Sequence, residues 1–240
     1  MSLKMQKQSK NLLYQSILRE FFKNYKSFIP PIIISIVLIA FGQIINPGFA
    51  SLENIGNILA IASILCIGSV GQTLVIISGG DGIDLSLGAL MSMGAVVGSG
   101  VLQGLDIRLP LTIITLIGLG AGFGFVNGTG IWWLGIPPLV MTLAMSSVID
   151  GFTLAVSQGR PFGSASPLVL AIGGGRIFGF LRWLVIIAIL FILFIDWYLL
   201  NKTKYGKSLF LVGNNRIAAR ICGINNRNII LLTYVFAGIL

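Results

Sequence analysis

Long apolar runs alternate with short polar ones along this chain. A helix needs about 20 mostly apolar residues to cross the hydrocarbon core of a bilayer. Six complete runs of that kind can be read, at residues 28–45, 58–78, 85–104, 109–126, 139–156 and 183–200, and a seventh begins near Ile229 and is cut off at Leu240. The pattern predicts an all-α, polytopic transmembrane helical bundle with six complete spans plus a truncated seventh. It divides the chain into a polar N-terminal tail, 1–27, and a transmembrane domain, 28–240, with a long polar loop at 201–228.

Charge placement orients the bundle. The tail holds six basic residues (Lys4, Lys7, Lys10, Arg19, Lys23, Lys26) against one acid, Glu20. The 201–228 loop holds Lys202, Lys204, Lys207, Arg216, Arg220 and Arg227 and no acid. Basic residues flanking spans stay on the cytoplasmic side, so both segments belong there, and an even number of spans must separate them. Six satisfies that demand. The net charge of +9 is then a consequence of topology rather than a nucleic-acid footprint, since the basic residues flank spans and form no single stripe. The tail is too long and mixed for the basic region of a signal peptide, and no small-residue cleavage site follows the first apolar run, so the first span is expected to remain.

Composition narrows the chemistry. Only 10% of residues are charged and 55% are hydrophobic, whereas a soluble domain carries roughly 25% charged residues. Lipid is the expected solvent. There is no histidine, which removes the usual general base, proton shuttle and metal ligand together. The seven carboxylates are scattered, with Asp81 and Asp84 alone close in sequence. No catalytic group or metal site is expected, and energy must come from a partner or an ion gradient. Cys66 lies in an apolar run and Cys222 in the basic loop, a poor basis for a disulfide.

Some polar positions stand out. Residues 78–88 read SGGDGIDLSLG: three glycines break the helix, and Asp84-Leu85-Ser86 reads as a helix start whose carboxylate accepts from nearby backbone N–H groups. Capping accounts for Asp84 without a further role. Irregular backbone at membrane depth is tolerated only inside protein or along a cavity, so a gating or substrate-path role for Asp84 and Ser86 is the alternative. Asp150 lies inside an apolar run, where ionisable groups are costly and mark function. It is a candidate to hydrogen-bond a polyol, bind a cation or pair with Arg160; a place at the outer rim is the bland reading. Asn127-Gly128 closes the fourth span, and Gly135-Ile136-Pro137-Pro138 precedes the fifth. Gly118, Gly120, Gly122, Gly124 and Gly128 in the fourth span, like Gly94 and Gly98 in the third, form the Gly-x-x-x-Gly pairs that let helices approach closely in lipid.

The most informative stretch is YGKSLFLVGNNRIAARICGI (205–224). A short helix at 216–222, bracketed by Gly213-Asn214-Asn215 and Gly223, is far too short to span and has the form of an element gripped by another protein. Arg160, Arg176 and Arg182 fall on the opposite side of the membrane. They are ordinary loop charges or, alternatively, contacts to an acidic patch on an extracytoplasmic partner.

Three blocks resemble the permeases of bacterial ribose/galactose/xylose-type ABC importers: GIDLSLGALMS (82–92), GFVNGTGIWWLGIPPLVMTLAMSSVIDGFTLAVSQGRPF (124–162) and the 205–224 block. They occur in the family's order. The resemblance implies a permease of the bacterial inner membrane that works as a dimer with a second copy or paralogue. An ATP-binding cassette ATPase would dock on the cytoplasmic face, and a substrate-binding protein would deliver a sugar or sugar-like solute outside. It makes 216–222 a coupling helix, with Gly213, Asn215, Ala218, Ala219, Arg220 and Gly223 in partner contact. It leaves this chain without a cofactor of its own, ATP being used by the partner subunit. Asp81-Gly82 lengthens the break relative to the common family form. The family continues for several further spans, so C-terminal spans are expected to be missing. An ion-coupled secondary transporter using Asp84 and Asp150 and an inactive truncated permease are the rival readings.

Overall fold

The computed structural model describes residues 29–240 apart from Pro161 and Phe178. The tail at 1–27 and the first residue of the first expected span, Phe28, lie outside the described residues. The chain separates into two compact units, one ending at Ile55 and the other comprising Gly56–Leu240.

In the first unit, helix α1 (Ile29–Ile45) is apolar on every side and buries nothing. Pro30 and Pro31 fall in its first turn, where a missing N–H leaves no helical bond unmade. After Asn46 the chain turns back, and Gln43 Oε1 closes that turn by accepting from Gly48 N (3.2 Å) and Ala50 N (2.7 Å). Ser51 Oγ accepts from Asn54 N at 3.3 Å, and α2 (Leu52–Ile77) starts there.

In the second unit, α2 is the most buried of the long helices. A break at 78–86 leads into α3 (Leu87–Leu102). One turn of 3₁₀-helix (Asp106–Arg108) runs straight into α4 (Leu109–Trp133). Pro137 and Pro138 stop the chain and start α5 (Pro138–Ser157). A short α6 (Pro167–Gly174) and an antiparallel hairpin of β1 (Arg176–Ile177) and β2 (Leu181–Arg182) follow. Then come α7 (Trp183–Phe194), which continues as a π-helical turn (Ile195–Leu200), α8 (Lys204–Asn214), α9 (Arg216–Ile221) and α10 (Asn226–Ile239).

Among the described residues, four helices are long and apolar enough to cross a membrane: Leu52–Ile77, Asp106–Trp133, Pro138–Ser157 and Trp183–Leu200. The chain is therefore an all-α multi-pass membrane protein, but the expected count of six complete spans is not reached. Helices α1 and α3 are apolar yet only 17 and 16 residues long. The reason at α3 is local. The break uses up residues to Ser86, and Gln103 ends the helix in a left-handed conformation. The expected seventh span is α10, at 14 residues.

Glycine spacing decides the packing of α4 against α10. A Cβ at Gly120 would strike the Gly238 carbonyl oxygen, and one at Gly124 would strike that of Tyr234, so here main chain lies on main chain. Gly118 and Gly122, which form an equally good sequence pair, have nothing within 4 Å. Only one of the two glycine faces of α4 is used by the described residues. Beside this seam α3 packs on α5, through Ala89, Leu90, Met93 and Val97 against Met145 and Ile149.

Candidate functional site

The 78–86 break is held from three helices. Gly79, Gly80 and Asp81 are all left-handed, with φ of 71°, 64° and 57°. The chain can take this path without strain at the two glycines but not at Asp81. Beyond it, Asp84 Oδ1 accepts from Ser86 N at 2.9 Å and Ser86 Oγ at 2.5 Å. Ser86 Oγ accepts in turn from Asn127 Nδ2 of α4 at 3.0 Å. Thr142 Oγ1 of α5 lies 3.1 Å from Leu85 N and 3.2 Å from Ile83 O. Gln72 Oε1 of α2 accepts from Asp84 N at 3.2 Å.

Side chains thus take over the hydrogen bonds that the broken helix cannot make internally. Asp84, Ser86, Asn127 and Thr142 are all buried. Among the described residues, Asp84 Oδ2, Asn127 Oδ1 and Tyr234 Oη are buried with no hydrogen-bond partner. The two acceptors, Asp84 Oδ2 and Asn127 Oδ1, can take a hydroxyl, a water or a proton-bearing group. No group of three histidines, cysteines or carboxylates that could hold a metal occurs among the described residues.

One expectation holds here and one changes. Asp84 accepts from the Ser86 N–H just ahead of the first turn of α3, as the sequence implies. Asn127 does not close a span: α4 runs on to Trp133, with Asn127 fully buried on its inner face. Thr142 and Gln72 were missed. Their signal was a polar side chain within a mostly apolar helical run.

Asp150 and Arg160 line an open groove of about 330 Å³ with Ser92, Val96, Thr153, Leu154, Ser157 and Gly159. Both charged side chains are exposed, and no ion pair joins them. Arg176 is exposed at the hairpin. Arg182 is half-buried and occupied: its guanidinium donates to Gly173 O at 3.0 Å and to Asn57 Oδ1 at 2.8 Å.

The 205–224 block is two helices rather than a loop with one. Thr203 Oγ1 caps α8 by accepting from Gly206 N at 3.1 Å. Tyr205, Leu209 and Val212, spaced i, i+4 and i+7, turn inward, a helical periodicity that the sequence reading passed over. Burial pushes the Tyr205 phenol up to about 12, so it stays a neutral partner for Thr233 Oγ1, 2.9 Å away. Asn215 Oδ1 caps α9, accepting from Ile217 N (2.9 Å) and Ala218 N (3.0 Å), and Gly223 follows it with φ 78°.

The residues expected in partner contact therefore separate. Ala219 is 0% exposed and packs with Val75, Val212, Ile230 and Tyr234, so it cannot lie on a contact face; its Cβ points to the one side of α9 that the protein covers. Asn215 and Gly223 shape the ends of the helix, and Gly213 lies against Ile77. Ala218 and Arg220 are exposed, as expected. Beside them stand two residues the sequence reading did not select, Ile217 at 74% and Ile221 at 81% exposure. They are one helical turn apart and form an apolar ridge on the outer face.

An α-helical multi-pass protein whose broken helix is fastened to its neighbours by buried polar groups, and which presents a capped helix with an apolar ridge, has the form of a membrane permease. The model of the family described as branched-chain amino acid transport system / permease component matches residues 54–240, and the chain belongs to that family. Among curated proteins it is 31% identical over 209 residues to the ribose import permease protein RbsC of Escherichia coli (strain K12), covering 85% of this chain and 64% of that protein. It is 29% identical over 231 residues to the galactose/methyl galactoside import permease protein MglC of the same strain, covering 86% and 66%. It is 28% identical over 229 residues to the fructose import permease protein FrcC of Rhizobium meliloti, covering 93% and 63%. The chain thus spans just under two thirds of the length of these relatives. No solved structure matches it.

Proposed function

We propose that this chain is the membrane-spanning subunit of an ATP-driven importer in a bacterial inner membrane, and that it carries a sugar or sugar-like solute inward by alternating access. The reading rests on the outer face of α9. An exposed isoleucine pair on a six-residue helix in a polar, basic segment is an apolar ridge of the kind that contact surfaces use. Its position in a basic segment supports a cytoplasmic placement. The import permeases named above support the class of solute.

In this reading residues 1–27 and 201–228 face the cytoplasm, and α1, α3 and α10 are spans like the four long helices. An ATPase subunit that binds and hydrolyses ATP grips Ile217, Ala218, Arg220 and Ile221. A second permease copy or paralogue completes the pathway. On the outer side a solute-binding protein meets Arg160 and Arg176; Arg182, half-buried, is less suited. Asp84, Ser86 and Asn127 form the gate, and Asp150 lines the path.

The test is to co-express the permease with its ATPase and replace Ile217 and Ile221 by glutamate. The pair should still insert, while ATPase co-purification falls about 100-fold, as expected when two apolar anchors are lost. Undiminished co-purification would sink the assignment. One observation favours a second reading: the buried Asp84 with an unshared oxygen suits an ion-coupled carrier. That reading requires uptake to vanish with an uncoupler while ATP is maintained.

A further inference from the structure

We propose that Arg216 is a positioning residue that fastens the docking helix α9 to the 78–86 break, so that a push on α9 moves the segment carrying Asp84. The proposal deepens the importer reading and rests on it for the source of the push; the link itself is a property of the permease alone.

Three contacts meet at this point. The Arg216 guanidinium crosses from the first residue of α9 and donates from Nη2 to Gly79 O at 3.3 Å. The same group lies against Gly80, where a Cβ would collide with it. Beside it the end of α8 meets the end of α2 backbone to backbone. A Cβ at Gly213 would strike the Ile77 carbonyl oxygen, and one at Gly79 would come within 2.7 Å of Gly213 O. Arg216 is itself held from the other side, since Asn226 Nδ2 donates to its carbonyl oxygen at 2.8 Å. No flexible side chain stands between α8 and the break to absorb a displacement. A close-packed contact of this kind transmits motion instead of damping it.

The break is suited to receive it. Gly79 and Gly80, the two residues that Arg216 touches, begin the left-handed turn that ends in the strained Asp81. Strain of this sort persists only while the surroundings impose it. Asp84, buried and bonded to Ser86, follows three residues later. Arg216 therefore holds the turn from the docking side, while Gln72, Asn127 and Thr142 hold it from the bundle side. A shift of α9 acts on the Arg216 side of these restraints directly, which is what a gate driven from a distance requires.

The link is tested first in the permease alone. Cys66 and Cys222 are both exposed thiols. With Cys66→Ser and Ile83→Cys, spin labels at positions 83 and 222 report the distance between the break and the end of α9. One narrow distance is expected. It should broaden in Arg216→Gln and narrow again in Arg216→Lys, which keeps a charged donor on a long side chain. An unchanged distribution in Arg216→Gln overturns the link. The second arm uses the complete importer in proteoliposomes, with ATP hydrolysis and uptake of radiolabelled ribose, galactose and fructose measured side by side. Arg216→Gln should keep hydrolysis within about twofold of the parent while uptake per ATP falls about tenfold, the change expected from one lost charged hydrogen bond. Arg216→Lys should recover most of it. Equal loss of hydrolysis and uptake would make Arg216 a docking residue and overturn the proposal. A parent that neither hydrolyses nor transports, with the spin-label result intact, would overturn the importer reading and leave the link standing.

Discussion

Asp84 and Asp150 are the same residue, one in a glycine-rich break between apolar runs and one inside such a run, and the fold treats them oppositely. Asp84 is 5% exposed and bonded to Ser86, with Gln72, Asn127 and Thr142 tying down the backbone and hydroxyl around it. Asp150 is exposed in an open groove beside Arg160, with no such tether. On the importer reading both carboxylates lie at membrane depth, where each is expensive, and the two settings meet that expense differently. The first carboxylate is solvated by the protein and belongs to its architecture. The second depends on whatever fills the groove, and its face of α5 is a poor one to present to lipid.

Substitutions that separate stability from transport test this contrast. The largest effect is expected for Asp84→Ala, which strands the Ser86 amide and hydroxyl inside the protein. The loss should be about 3 kcal/mol, read as a drop in the unfolding midpoint in detergent. Asn127→Leu should follow at about 2 kcal/mol by removing the donor to Ser86, and Thr142→Val at about 1 kcal/mol, since Leu85 N then loses its acceptor. Asp150→Asn should leave the unfolding midpoint within about 0.5 kcal/mol of the parent while, on the importer reading proposed above, solute uptake falls. If Asp150→Asn lowered the midpoint as far as Asp84→Ala does, the distinction between the two carboxylates would be lost.

How far these differences could be read beforehand depends on what each residue's neighbours are. The apolar runs and the glycine-rich break follow from composition along the chain, so the all-α membrane class and the interruption at 78–86 were legible. Helix α9 was legible for the same reason, its capping asparagine and closing glycine being local signals. What surrounds Asp84 was not: Gln72, Asn127 and Thr142 come from α2, α4 and α5, and no local pattern announces that three distant polar residues converge. Ala219 failed for a related reason. On a six-residue helix with small residues at two adjacent positions, spacing alone cannot say which of Ala218 and Ala219 faces inward, and the buried partners Val75, Ile230 and Tyr234 decide it. The length of α3 was misjudged because an apolar run shows how far a helix could extend, not where a left-handed Gln103 stops it.

The seam between α4 and α10 has a consequence of its own. Two helices whose main chains touch at Gly120, Gly124 and Gly238 have no interposed side chains that could adopt a second packing arrangement. They are joined like the two leaves of a beam, and stress applied to either is carried by both. Any bending of the bundle must then gather outside this pair, and Asn127, borne on α4, places its amide against Ser86 at the break between α2 and α3.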